Sequence, residues 1–250
     1  FLDSSFSGHV DTFHKGEVFA RTGPHVEAPY TVPVIPADPD TSRHVFLWLT
    51  DYLFLTAGYV YYRAGVMAVN VTKDMVPPAL PCQLETSSWC IEGPLPELNK
   101  KYPNMPLEAD VKATAPPMAA ISSAHINASI TLNIDFFVIL PNKSKVFIFR
   151  LNATVYASTL LSISDNKLKW SSNFVKADLQ LMKSTIGKFD VNRLGQGIDM
   201  ACKILLLPWL NGKGEKGLPL PTSDNLKLQQ PEIKQGKGFI KLGANVLFSP

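Results

Sequence analysis

The residues able to do chemistry are few and poorly grouped. His9, His14, His25, His44 and His125 stand far apart, and none falls in the HExxH pair that puts two zinc ligands on one helix face. No GxSxG turn is present to expose a nucleophilic serine. The stretch Gly212-Lys213-Gly214-Glu215-Lys216-Gly217 is rich in glycine but lacks the Gly-Lys-Ser/Thr ending that lets a phosphate loop hold both phosphate and magnesium. It reads as a flexible loop after a helix. Asp110 and Asp135 alternate with apolar neighbours and read as solvated acids on wet strand faces, and His125, at a strand start, reads as a surface or capping residue. These groups do not assemble a nucleophile, a base and an oxyanion donor. The expectation is a protein with no catalytic residues and no metal, and not an enzyme.

Cysteine and asparagine chemistry is more informative. Cys82 and Cys90 flank the polar turn Glu85-Thr86-Ser87-Ser88, a spacing that suits a local disulfide and not a zinc site. Cys202 lies in an apolar helical stretch, where it is either a small buried hydrophobe or a link to a cysteine outside the chain. Glycosylation sequons occur at Asn70, Asn127, Asn142 and Asn152. With a disulfide they favour a secreted, extracellular glycoprotein.

Composition narrows the class further. Of 250 residues, 46% are apolar and only 18% charged, against a usual charged share of about 25%. A disordered chain is excluded on that ground. The net charge of +3 is scattered along the chain, so no nucleic-acid partner is expected, and the aromatic group Tyr52, Phe54, Tyr59, Tyr61 and Tyr62 reads as helix packing, not a base-stacking platform. The chain begins at Phe1 with no leader ahead of it, and reads as a mature product, a cleavage fragment or part of a longer protein.

The elements that must position anything functional follow from periodicity. Residues 1–23 hold a weak strand, and Pro24, Pro29, Pro33, Pro36 and Pro39 make residues 24–41 an extended linker. Residues 42–250 then form one domain. Val45–Tyr62 is apolar nearly all round; Asp51 and Arg63 argue against a membrane span, and a helix over 45–64 capped by Ser42 and buried inside a sheet is expected. Strict alternation follows at Leu107–Ala113, Ile126–Phe136, Phe147–Ala157 and Val175–Leu181, with turn residues between, which is an antiparallel meander of unusually long strands. A second helix is expected over 191–210, capped by Asp190 and kinked or ended by Pro208, and a last alternating strand over Ile240–Phe248. The fold class is α+β: an elongated, highly twisted antiparallel barrel with two helices buried on its concave face.

Two apolar helices on a concave apolar sheet either close a core or leave a slot in which acyl chains replace side chains, each buried CH₂ contributing about 0.8 kcal/mol. Candidate slot or core residues are Leu49, Leu53, Ala57 and Val60 on the first helix, Leu194, Ile198, Ala201 and Leu205 on the second, and Leu242 and Val246 on the last strand. The rival is a filled barrel whose outer face docks a receptor or a second copy.

A set of collinear motifs carries a resemblance. Thr50-Asp51-Tyr52-Leu53-Phe54-Leu55-Thr56-Ala57-Gly58 resembles the Ser-Asp-Tyr-Phe-Phe-Asn-Thr-Ala-Gly helix of the bactericidal/permeability-increasing and lipopolysaccharide-binding protein family. Asp74-Met75-Val76-Pro77, Lys101-Tyr102-Pro103-Asn104-Met105, Val138-Ile139-Leu140-Pro141-Asn142, Lys216-Gly217-Leu218-Pro219-Leu220-Pro221 and Gly238-Phe239-Ile240 with Leu242-Gly243-Ala244-Asn245-Val246 are similar to further family motifs, in order. The Cys82/Cys90 pair, Trp209 and Gly212-Lys213-Gly214 depart from the family pattern. The resemblance implies the C-terminal barrel of a two-barrel boomerang with part of a central sheet, no cofactor, and a phospholipid held as ligand under the two helices. It implies phospholipid or lipopolysaccharide acyl chains and the N-terminal half of the same protein as partners. It also implies a role in antibacterial defence, with phospholipid shuttling as the alternative.

Overall fold

The computed structural model describes residues 2–3, 10–78, 80, 82–220 and 226–248. A two-residue pairing of β1 (Leu2–Asp3) on β2 (Asp11–Thr12) comes first, then irregular chain as far as β3 (Val45–Thr50), which runs straight into α1 (Asp51–Arg63). There follow β4 (Ala68–Val71), the short helices α2 (Trp89–Glu92) and α3 (Pro96–Lys101), β5 (Leu107–Ala113), β6 (Met118–Ile121), β7 (Ile126–Ile139), β8 (Lys145–Ser164) and β9 (Lys167–Ser184). A helical arm, α4 (Asn192–Ala201) and α5 (Leu207–Lys216), leads to β10 (Leu218–Pro219), β11 (Leu226–Gly236) and β12 (Phe239–Phe248). Seven strands make one antiparallel sheet in the order β10-β9-β8-β7-β5-β4, with β6 also on β7, and β11-β12-β3 make a second. The class is α+β, a curled half-barrel carrying helices.

Alternation in the sequence becomes a one-sided sheet, and the bulges decide where it breaks. Ile126, Ile134 and Phe136 of β7, and Phe149, Leu151, Ala153 and Val155 of β8, are buried. Extra residues interrupt the ladders at Phe136/Phe137, Arg150/Leu151 and Tyr156/Ala157. A bulge raises the local right-handed twist and moves the following residues to the other face. Strands of 20 and 18 residues therefore coil instead of lying flat. The same slips correct the expected alternation. Phe147 stands on the outer face against Phe137, their ring centroids 5.8 Å apart, and Val175, the inserted residue, is 57% exposed.

The expected first helix over 45–64 is corrected. Val45–Thr50 is a strand paired with β12, from Ala244↔Val45 to Phe239↔Thr50, and the helix begins at Asp51. Val45, Phe46 and Trp48 suit an extended backbone, while Asp51 places a negative charge in the first helical turn. Ser42 caps no helix; its N–H donates to Asp40. In α1, Tyr52 and Thr56 form the buried face, and the Thr56 hydroxyl donates to the Leu53 carbonyl while accepting the Val18 N–H at 3.0 Å.

The second helix runs past its expected end. Asp190 does serve its start, its carboxylate accepting the Asn192 N–H at 3.0 Å. Pro208 neither ends nor breaks the arm; a π-helical turn, Cys202–Leu206, precedes it. A proline within a helix lacks an N–H and crowds the carbonyl four residues back, and the wider π turn takes up that mismatch. The glycine-rich stretch is correspondingly helical through Lys216, not a flexible loop, and stops at Gly217 with φ 64°. Hydrogen bonds and a close backbone approach hold α5 to β9. The Asn211 side chain accepts the Ser172 N–H at 2.7 Å and donates to the Ser172 carbonyl at 3.0 Å, as a neighbouring strand would. At Gly214 a Cβ would overlap the Trp170 carbonyl oxygen.

The polar face of the last strand is not wet. Lys241 is 6% exposed; its ammonium pairs with Asp38 and Asp40 of the proline-rich segment and lies 3.9 Å from the Phe46 ring centroid. Burial works against the charged amine, but the two carboxylates outweigh it and raise its pKa. Asp40, bonded to Lys241 and Ser42, is held well below the usual carboxylate range. Residues 38–40 are thereby fastened across β12.

Candidate functional site

The concave face of the large sheet carries two packed apolar clusters, separated by a gap in this packing where most apolar side chains are half-buried and belong to neither. One cluster joins Leu107, Phe136, Val138, Ile148, Phe149 and Leu151 to Ile91, Leu95 and Leu98 of the α2–α3 region and to Leu194 of α4. The other joins Ile121, Ile126 and Leu220 to Ile240 and Leu242 of the second sheet. Cross-strand register places Ala128 beside Ala157, Ala157 beside Phe174, Ile130 beside Val155, and Val155 beside Ala177. Ala128, Ile130, Ala157, Phe174 and Ala177 belong to neither cluster and are only half-buried. From Ile126 to Leu132 the gap extends about 20 Å at ~3.3 Å per residue.

The helices flank this gap. On one side α1 packs on β6: Gly58 sits against Pro117, and the Tyr62 hydroxyl donates to the Thr114 carbonyl at 2.9 Å. On the other side α4 and α5 pack on β9. Strand order puts β7 and β8 between these two supports; on their inner face Ala128, Ile130 and Ala157 are half-buried and Val155 is buried, while Lys203 of the helical arm lies 5.5 Å from the Phe174 ring centroid.

Of the residues singled out from sequence, Leu194 is buried in the first cluster with Ile198 packed beside it. Leu242 is buried in the second cluster with Leu49 packed beside it. Leu53, Ala57, Val60 and Val246 are half-buried, and Ala201 is exposed. The Leu205 side chain lies outside the described residues. Leu49 and Leu53 also border a narrow pocket in which β3 and α1 meet His14, Lys15, Val32, Pro33 and Ile35 of the N-terminal segment. An open hollow of about 330 Å³ runs along the arm beside Gln196, Asp199, Met200, Lys203 and Ile204. Cys202, next to it, is a free thiol; burial, with Asp199 nearby, pushes its pKa up to about 11.

Sequence reasoning missed the gap residues themselves. Their types are ordinary strand residues, and only the register that aligns Ala128 with Ala157 shows that small side chains coincide. It also missed the seating of the second helix. The Cys82–Cys90 disulfide is formed, with Cα atoms 5.7 Å apart, and a Cβ at Gly197 of α4 would lie 3.7 Å from the Cys82 Sγ.

The sequon residues lie outside the concave face. Asn70, Asn127 and Asn142 are exposed, while Asn152 is half-buried and donates to Asn133 at 3.2 Å. Among the described residues no cluster of His, Cys, Asp and Glu could hold a metal ion, and no helix is long and apolar enough to cross a membrane.

Residues 5–248 match the model of the LBP / BPI / CETP family, C-terminal domain. The chain is 29% identical over 239 residues to lipopolysaccharide-binding protein of Bos taurus, covering 96% of this chain and 49% of the relative. It is 30% identical to the Rattus norvegicus protein of the same name over 241 residues, with 96% and 49% covered. A bactericidal permeability-increasing protein of Sebastes schlegelii is 27% identical over 240 residues, with 96% and 50% covered. The chain thus spans about half the length of the curated relatives it matches. A crystal structure of lipopolysaccharide binding protein superposes with a TM-score of 0.60 at 26% identity, over 87% of this chain and 46% of that one. With a family model matched along nearly its whole length and the same fold in a solved relative, the chain belongs to the LBP/BPI/CETP family as its C-terminal domain.

Proposed function

We propose that this chain is the lipid-holding half of a secreted innate-immune protein, binding the acyl chains of a phospholipid or of lipopolysaccharide between α1, the α4–α5 arm and the concave sheet. The supporting observation is the half-buried apolar gap formed by Ala128, Ile130, Ala157, Phe174 and Ala177 between two closed clusters. Apolar surface left unpacked inside a half-barrel is filled at a gain of about 25 cal/mol per Å² covered, and an extended chain of methylenes fits a gap walled by strands. Ala57 and Val60 on one flank and Ile198 on the other are the proposed walls; Leu194 and Leu242 are proposed as the packed ends. The mechanism is non-covalent: the gap takes up acyl chains while the polar headgroup stays at the opening.

The relatives' names motivate the choice of lipid, lipopolysaccharide for several of them. Secretion is proposed from the disulfide together with the exposed sequons at Asn70, Asn127 and Asn142. The test is organic extraction of the gently purified chain followed by mass spectrometry of the extract. A near-stoichiometric glycerophospholipid or lipid A species is expected. An extract with neither would sink the proposal.

A further inference from the structure

The outward side of α5 is not explained by packing. Asn211 and Gly214 face β9, Gly214 is buried, and Leu207 and Leu210 are half-buried. Trp209, Lys213 and Lys216 recur at spacings of four and three, which places them in a single strip on the side away from β9, with Leu206 of the preceding π turn beside its start. All four are exposed, Trp209 at 63% and Leu206 at 40%. Leu218, just past the helix, is 57% exposed. The acid within this turn does not join the strip: Glu215 is drawn aside by Lys169 at 3.2 Å. Lys213 and Lys216 form no ion pair among the described residues. The π turn before Pro208 sets the rotation of this strip, because it offsets the register of everything that follows.

We propose that this strip is a docking surface for a lipid surface bearing anionic phosphate headgroups. The argument is complementarity on both counts. An indole with leucines beside it matches the boundary between headgroups and acyl chains, and two ammonium groups with no ion pair among the described residues match the negative surface above it. A protein partner's apolar patch would match the leucines but leave both lysines to be desolvated. Docking here would bring the α4–α5 flank of the concave gap to the membrane. The proposal does not require that flank to hold lipid, so it stands or falls apart from the function proposed above.

The full chain, mixed with vesicles of zwitterionic lipid alone or with about a third anionic phospholipid, supplies the test. Binding to the anionic vesicles is expected, with the tryptophan emission shifted to the blue and quenched by brominated acyl chains. Lys213→Gln with Lys216→Gln should weaken partitioning roughly 25-fold, from the usual contribution of a lysine near an anionic surface. Trp209→Phe should remove most of the bromine quenching. Both variants change exposed side chains, so co-purified lipid and melting temperature should match the parent. Anionic-vesicle binding that is absent, or that neither variant alters, overturns the proposal. So does a blue shift that grows with protein concentration without vesicles, which would assign the strip to a second copy of the chain.

Discussion

Two glycines on one helical arm should respond oppositely to the same substitution. At Gly197 an added Cβ meets the Cys82 Sγ at 3.7 Å and the Cys90 Cβ at 3.8 Å, ordinary van der Waals separations. Nothing has to move, and replacing glycine with alanine inside a helix gains about 0.5–1 kcal/mol in propensity and unfolded-state entropy. At Gly214 an added Cβ overlaps the Trp170 carbonyl oxygen, with the Trp170 Cδ1 at 2.8 Å and its carbonyl carbon at 3.0 Å. Those are mostly backbone atoms of β9, held by the Asn211–Ser172 hydrogen bonds one turn away. The helix must lift from the strand, an overpacking cost of about 2–3 kcal/mol that exceeds the propensity gain. Near 250 residues, 1 kcal/mol corresponds to roughly 2–4 °C of melting temperature. Gly197→Ala should therefore raise the transition by about 2 °C and Gly214→Ala, net of the propensity gain, should lower it by roughly 2–10 °C. Thermal unfolding followed by circular dichroism on both variants reads the result. Shifts of the same sign, or a Gly214→Ala variant at parental stability, would refute the packing described for this arm.

Other consequences follow from single contacts. Reducing the Cys82–Cys90 bond, whose partners are 8 apart in sequence, should cost about 2–3 kcal/mol by chain entropy; hydrogen exchange should then speed up in α4, which rests on it, and not in β7. Lys241→Met should free the segment around Asp38 and Asp40, which limited proteolysis would detect as new cleavage between residues 24 and 41. In the parent, the depressed pKa of Asp40 means that this fastening is present above the carboxylate's unfolded value and is lost as pH falls through the folded one. Protection of the linker should accordingly be flat from pH 8 to 5 and fail only below about pH 4. With its pKa near 11, Cys202 should alkylate slowly at pH 7.5 and steadily faster as pH approaches that value, measured by mass spectrometry under non-reducing conditions.

How much of this was legible beforehand depends on the kind of signal each part carries. The strands β5 and β7 coincide with the expected alternation because a half-buried antiparallel strand writes its period directly into side-chain polarity. Val45–Thr50 was misread as helix because an apolar run has no period of its own; only pairing with β12 makes it a strand. β11 was not anticipated, since Pro231 interrupts it, and the structure absorbs that proline in a bulge between Gln229 and Glu232 where Gln230 has φ 47°. The disulfide followed from cysteine spacing, but its seat against Gly197 did not, because two residues more than a hundred positions apart leave no local trace. For the same reason the gap on the concave face is a property of register, not of any one segment.

The central claim, that the half-buried gap holds acyl chains, is tested most directly by filling it. Ala157 lies between Ala128 and Phe174 on the concave face and is only half-buried. Native mass spectrometry of the full chain and of its Ala157→Phe variant measures cargo in both. The parent should carry a lipid mass; the variant should carry much less while melting within a few degrees of the parent, because phenylalanine replaces acyl chain and not protein. A parent without lipid, or a variant that is badly destabilised with its cargo unchanged, would contradict the account.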